Sequence, residues 1–191
     1  MSRTPSTMVA LGTVAPAFAL PDVRTGKTVR LEDFSARGAL LVMFICRHCP
    51  YVAHVQAELA RIGRDYESKD VGVVAISSND ARSYPEDAPA SLAEQGRVQD
   101  FRFSYLHDES QAVARAYDAA CTPDFFLYQR GAEGFRLVYR GQLDDSRPGN
   151  GKPVTGSDLR RALEAVLSGK PVAEAQAPSV GCNIKWRESC A

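Results

Sequence analysis

Apolar positions along this chain change their spacing several times, and each spacing predicts a different element. Residues 39–45, Ala-Leu-Leu-Val-Met-Phe-Ile, are apolar without a break. A run this short, opened by Gly38, predicts a central strand covered on both faces. Val52, Val55, Leu59 and Ile62 then recur at helical spacing and form one apolar stripe. Pro50 suits the first turn of that helix, where its missing N–H forfeits no intrahelical bond. Residues 71–76 predict a second buried strand, and Tyr105 and Leu106 a short third one. Residues 91–97 predict a short helix. Asp108 and Gln111 are spaced as a capping box for a helix reaching Tyr117. Residues 124–128 and 137–139 read as a hairpin around the glycines at 131 and 134. Thr155 and Asp158 open a last helix, which buries Leu159, Ala162, Leu163, Val166 and Leu167 and stops at Gly169.

The remaining segments frame this pattern. Residues 16–22 and 29–31 alternate on either side of Thr25-Gly26-Lys27, as the arms of an edge hairpin do. Residues 84–89, with two prolines and two acids, predict a surface loop. The expected organisation is a leader at 1–11, one domain at 12–176, and a tail at 177–191 packing on it. Ile184 and Trp186 are expected to anchor that tail by burial. The alternation of strands and helices predicts an α/β domain: a mixed central sheet flanked by helices, an N-terminal β-hairpin and an irregular C-terminal tail.

Composition narrows the function. The 191 residues are 45% hydrophobic and 24% charged, enough for one sizeable core. Lys+Arg and Asp+Glu both number 23, so the formal charge is zero. Nothing in that balance draws the chain to nucleic acid or to an anionic membrane. No apolar run approaches the roughly 18 residues a spanning helix needs. Residues 8–20 are fairly apolar, but Gly12 and Pro16 interrupt them and only Arg3 precedes them, unlike a signal peptide. A cytoplasmic location is the expectation.

The chemistry lies in the cysteines: five of them, an odd number that cannot all pair within one chain. Cys46 and Cys49 fall at a strand-to-helix junction. A thiol facing a helix N-terminus meets unpaired N–H groups and the positive end of the dipole, which lower its pKa from about 8.5 toward the range of roughly 3.5–7.5. Arg47 and His48 add nearby cationic character. The spacing places both sulfurs on one side of the first turn, close enough to join. A dithiol that closes on itself after attacking a disulfide is a redox site needing no cofactor. A metal carrier using Cys46, Cys49 and a histidine is the reading from a different class, though no further ligand pair completes a four-ligand site. His54 and His107 are expected to do structural or surface work.

Several blocks carry a family resemblance. The strand–Cys-x-x-Cys–helix followed by Thr122-Pro123 resembles the thioredoxin fold, which implies a cis Thr122–Pro123 bond opposite the dithiol and a substrate groove shaped by both residues. Pro16 to Asp22 and Leu31-x-Asp-Phe34 resemble the redoxin branch, with its peroxiredoxins and alkyl hydroperoxide reductases. Phe44 to Tyr51, Cys121 to Phe126 and Gly181 to Trp186 together resemble bacterial peroxiredoxin-like thioredoxin proteins. The implied activity is thiol–disulfide oxidoreduction by Cys46 and Cys49, tuned by Arg47, His48 and Pro50. Its expected partners are a protein or small-molecule disulfide and a thiol reductant.

The departures from that resemblance decide between two mechanisms. Ile45 replaces the usual tryptophan before the first cysteine, and Leu40 replaces the buried aspartate that aids proton transfer, leaving that task to His48 or solvent. A peroxiredoxin would make Cys49 the peroxidatic cysteine, followed by Pro50. It would also want a threonine where Cys46 stands, a proline where Val42 stands, and an arginine beside the active residues. Thiol exchange needs fewer groups and favours Cys46 as attacker with Cys49 resolving; a thiol peroxidase working through Cys49 is the alternative. His48 before the second cysteine resembles strongly oxidising disulfide donors and implies a potential above that of thioredoxin, about −270 mV. Cys121 and Cys182 are candidate additional redox thiols, a buried filler and a structural Cys121–Cys182 link being the other readings. Cys190 is expected to fray.

Overall fold

The computed structural model describes residues 3–187. In chain order the elements are β1 (Arg3–Pro5), β2 (Ala19–Pro21), β3 (Thr28–Arg30), β4 (Ala39–Phe44), α1 (Pro50–Tyr66), β5 (Val71–Ser77), α2 (Pro89–Val98), β6 (Ser104–His107) and α3 (Ala112–Ala116). They continue with β7 (Cys121–Thr122), β8 (Asp124–Gly131), β9 (Gly134–Gly141), α4 (Ser157–Leu167) and β10 (Val180–Asn183). Single 3₁₀ turns lie at Leu31–Phe34 and Pro85–Asp87.

The unbroken apolar run becomes β4, the middle of a five-stranded sheet ordered β6-β5-β4-β8-β9. β5 pairs parallel to β4, and β8 antiparallel to it, so the sheet is mixed. Strand alternation sends Leu41 and Met43 into the core beneath α1 and α4, while Leu40, Val42 and Phe44 enter the core on the opposite face. A strand with no polar face therefore needs helices or hairpins on both sides. Val52, Val55, Leu59 and Ile62 supply α1's contribution. Val113 of α3 and Phe18 and Leu20 around the β2–β3 hairpin cover the other face. Among the described residues no helix is long and apolar enough to cross a membrane.

Both chain ends depart from expectation. Residues 1–11 are not simply a loose leader: Arg3–Pro5 pairs antiparallel with β10 in the tail. The tail is not wholly irregular either, because β10 pairs in turn with β7, giving a second sheet ordered β1-β10-β7. These segments are too short to show alternation, and only their pairing makes them strands. Ile184 is buried as expected, but Trp186 is 37% exposed and lies under the Arg115 guanidinium, 4.4 Å from its ring centre. An indole stacked on a cation can remain at the surface. The helix expected to start at Asp108 and Gln111 begins at Ala112. The Asp108 carboxylate accepts the Ala114 N–H, while the Gln111 side chain bonds the carbonyls of Ser78 and Lys185. Cys190 lies outside the described residues.

Candidate active site

The segment between β4 and α1 carries Cys46 to Cys49, and both cysteines are fully enclosed at 0% exposure. Cys49 is the residue immediately before the first turn of α1, with extended backbone, and Pro50 occupies the first helical position as its sequence suggested. The helix N-terminus therefore acts on Cys49 more directly than on Cys46, which sits three residues earlier. The Thr122–Pro123 bond is cis, as the resemblance implied. Thr122 meets both sulfurs. Its hydroxyl lies 3.3 Å from Cys46 Sγ, and its carbonyl accepts the Cys49 thiol at 3.2 Å.

The two sulfurs differ in charge. Cys49 is held down to about 5, first by a hydrogen bond from the Cys46 thiol and then, against the opposing effect of burial, by bonds involving Cys182, Thr122 and the Val52 amide. Cys46 is pushed well above the ordinary thiol range because it keeps the shared proton, is buried, and faces the Asp87 carboxylate. The surroundings thus favour ionisation of Cys49 over that of Cys46. The sequence-based expectation has Cys46 as the attacking thiol and Cys49 as the resolving one.

Asp87 was not foreseen. It stands at the end of the Pro85–Asp87 turn, in the stretch read as a surface loop, yet it is completely buried. Its Oδ1 accepts the backbone N–H groups of Arg47 at 2.7 Å and His48 at 3.1 Å. Its Oδ2 accepts the Asn79 amide at 2.7 Å and meets His48 Nδ1 at 2.5 Å. Charge-assisted bonds of this kind offset the cost of burying a carboxylate. The Tyr84 ring stacks on the imidazole, with centroids 5.1 Å apart. Arg47 bonds the Ser91 carbonyl and is otherwise exposed, so its side chain points away toward α2. The cationic surroundings expected of Arg47 and His48 are therefore countered by an anion. No local signal in residues 84–89 distinguishes an inward-facing acid from a solvated one.

A Cys46 sulfur, a His48 ring nitrogen and an Asp87 oxygen lie within 4.8 Å of one another. His48 is thus the histidine a metal-carrier reading would use, though its Nδ1 is already engaged by Asp87. His54 bonds the Ser146 hydroxyl instead, away from this cluster.

Cys182 enters the site from the tail. In the β7–β10 register it pairs with Thr122, whereas Cys121 pairs with Asn183. Paired residues share a face and neighbours alternate, so Cys121 and Cys182 lie on opposite faces. That explains why no Cys121–Cys182 link forms. The Cys121 thiol points to the Pro123 carbonyl, and burial pushes it far above the ordinary range. Burial, and then the neighbouring Cys49, push the Cys182 thiol up to about 12. Gly181 permits the approach, because a Cβ there would stand 1.9 Å from the Thr122 carbonyl oxygen. A further buried carboxyl, Asp124, is pushed up to about 7 by its enclosure. It pairs with Phe44 on the sheet face away from α1.

Comparison with known proteins agrees with this architecture. An uncharacterised conserved protein of Geobacillus kaustophilus, of known crystal structure, is 54% identical, with a TM-score of 0.95 over 100% of this chain and 99% of its own. A hypothetical protein of Sinorhizobium meliloti 1021 is 50% identical, with a TM-score of 0.94 over 97% and 100%. The thiol-disulfide oxidoreductase ResA of Geobacillus kaustophilus (strain HTA426) is 26% identical over 165 residues, spanning 85% of this chain and 82% of that protein. A crystal structure of a putative thiol:disulfide interchange protein DsbE from Chlorobium tepidum, 20% identical, shares the fold with a TM-score of 0.64 over 83% of this chain and 98% of its own. Residues 11–133 match the AhpC/TSA family model, and the chain therefore belongs to the AhpC/TSA family as a thioredoxin-fold redoxin.

Proposed function

We propose that Cys46 and Cys49 cycle between dithiol and disulfide, making the chain a thiol–disulfide oxidoreductase. The observation that carries this reading is the shared seat of the two sulfurs on Thr122. The likeness to ResA, a protein named for that activity, supports it. The Cys49 thiolate attacks one sulfur of a substrate disulfide and expels the other as a thiolate, leaving a mixed disulfide. Cys46 then gives up its proton and attacks Cys49 Sγ, releasing the second substrate thiolate. Two electrons pass to the substrate, and an external thiol reductant restores the pair. With Leu40 in the place of a buried acid, the His48 imidazole oriented by Asp87 is the titratable ring nearest Cys46 and handles its proton.

Access limits the substrate. The Thr122 edge is already paired with β10, and neither cysteine is exposed. Any disulfide therefore needs this enclosure to open, and β10, on the Thr122 edge, is the segment that moves aside.

The thiolate on Cys49 favours a second reading, peroxide reduction. In that case Cys49 takes one peroxide oxygen to become a sulfenic acid, and Cys46 condenses with it, expelling water. The strongest influences on Cys49 include no guanidinium to polarise a peroxide. One experiment separates the two. Anaerobically reduced protein, with Cys46→Ser and Cys49→Ser variants, is mixed with one equivalent of oxidised glutathione or of H2O2. Rapid formation of the Cys46–Cys49 bond from glutathione disulfide, with H2O2 consumed no faster than by free cysteine, is expected. Fast H2O2 consumption that survives in Cys46→Ser and is lost in Cys49→Ser overturns the oxidoreductase reading.

A further inference from the structure

The tail strand does more than close the site, because it delivers a third thiol to the sulfur that both mechanisms share. Cys182 is fixed opposite Thr122 by strand register, and Thr122 is the residue whose carbonyl meets Cys49 Sγ. β1 on the outer edge of β10 and Gly181 against the Thr122 carbonyl hold that position. All three sulfurs lie in one buried cluster together with Val52 and Val55 of α1. Cys49 thus shares one enclosure with both Cys46 and Cys182.

We propose that Cys182 is a second resolving thiol, so that the oxidised site exchanges between a Cys46–Cys49 and a Cys49–Cys182 disulfide. The inference rests on the oxidoreductase reading of the same pair. In the exchange the Cys182 sulfur attacks Cys49 Sγ, the Cys49–Cys182 bond forms, and the Cys46–Cys49 bond breaks. Cys46 leaves as a thiolate and takes up the proton that Cys182 loses. No electron enters or leaves, so no oxidant or reductant is required. The product fastens β10 covalently to the start of α1 and leaves Cys46 as a thiol beside His48.

Two measurements test this. In the first, wild-type protein oxidised by one equivalent of diamide is held under iodoacetamide, quenched in acid, digested and mapped by mass spectrometry. Alkylated Cys46 is expected to accumulate in step with the Cys49–Cys182 linked peptide. A Cys46–Cys49 link that persists while Cys182 alone is alkylated overturns the proposal and leaves the oxidoreductase reading intact. Absence of the Cys46–Cys49 link at every time point overturns that reading instead. In the second, Cys46→Ser is oxidised with diamide, after circular dichroism has shown it folded. Intramolecular Cys49–Cys182 linkage is expected as its main product, at least tenfold over any dimer. Full alkylation of Cys182, or dimers as the main product, overturns the proposal independently of the first arm.

Discussion

Cys46 and Cys49 are separated by one turn and share Thr122, yet their surroundings pull in opposite directions. On the loop side, Cys46 faces a buried carboxylate that is itself satisfied by two backbone amides, an asparagine and an imidazole. On the strand side, Cys49 faces the start of α1 and two thiols that can donate to it. An anion on one side and donors on the other favour ionisation of Cys49 over that of Cys46. The comparison teaches that the two thiols of a Cys-x-x-Cys are not made unequal by order in the chain alone. Neighbours brought in by distant segments make them so.

The most disruptive way to break this comparison is to open the strand side. Gly181→Ala forces a Cβ into the Thr122 carbonyl, so β10 lifts and takes Cys182 with it. Reaction of the reduced thiols with an aromatic disulfide reagent is expected to accelerate about a hundredfold, the order expected when roughly 2.8 kcal/mol of local protection is lost. An unchanged rate would show that β10 is not what closes the site.

Removing the partner across the pair is the next largest change. Thiolate absorbance at 240 nm is expected to titrate near 5 in the reduced wild type. In Cys46→Ala, which cannot donate, the midpoint should rise to about 7, within the usual span of helix-terminal thiols. A midpoint still near 5 would assign the effect to the helix terminus alone.

The same asymmetry predicts opposite pH dependences of stability. Cys49 titrates lower in the folded chain than in the unfolded one, so its contribution is fully present above about 8.5 and is lost as the pH falls through about 5. Cys46 titrates higher when folded, so its contribution is present below about 8.5 and is lost as the pH rises beyond it. Chemical denaturation of reduced wild type and Cys49→Ala should therefore diverge by roughly 4 kcal/mol as pH climbs from 5 to 8.5. Parallel curves would refute the assignment of the thiolate.

On the loop side, Asp87→Asn keeps the shape but removes the charge that binds two amides and an imidazole. A loss of about 2 kcal/mol is expected, or roughly 4–8 °C in Tm, together with easier ionisation of Cys46. Unchanged stability would mean that the carboxylate does not organise the loop.

The legible part of this molecule is the part written in local pattern. Residues 39–45 announced β4, the stripe from Val52 to Ile62 announced α1, and Pro50 marked where that helix begins. The junction bearing Cys46 and Cys49 followed from those two elements. Asp87 was illegible because an acid between prolines looks the same whether it faces solvent or a neighbouring loop. β10 was illegible because a strand of four residues has no period to detect and becomes a strand only when paired.

The sequence alone determined the central strand, the helix packed on it and the seat of two thiols at their junction, because apolar periodicity acts over neighbouring residues. Tertiary structure alone decided what surrounds each of those thiols and which third thiol joins their cluster. Charge and hydrogen bonding act through space, and Asp87, Thr122 and Cys182 reach the pair from segments far away along the chain.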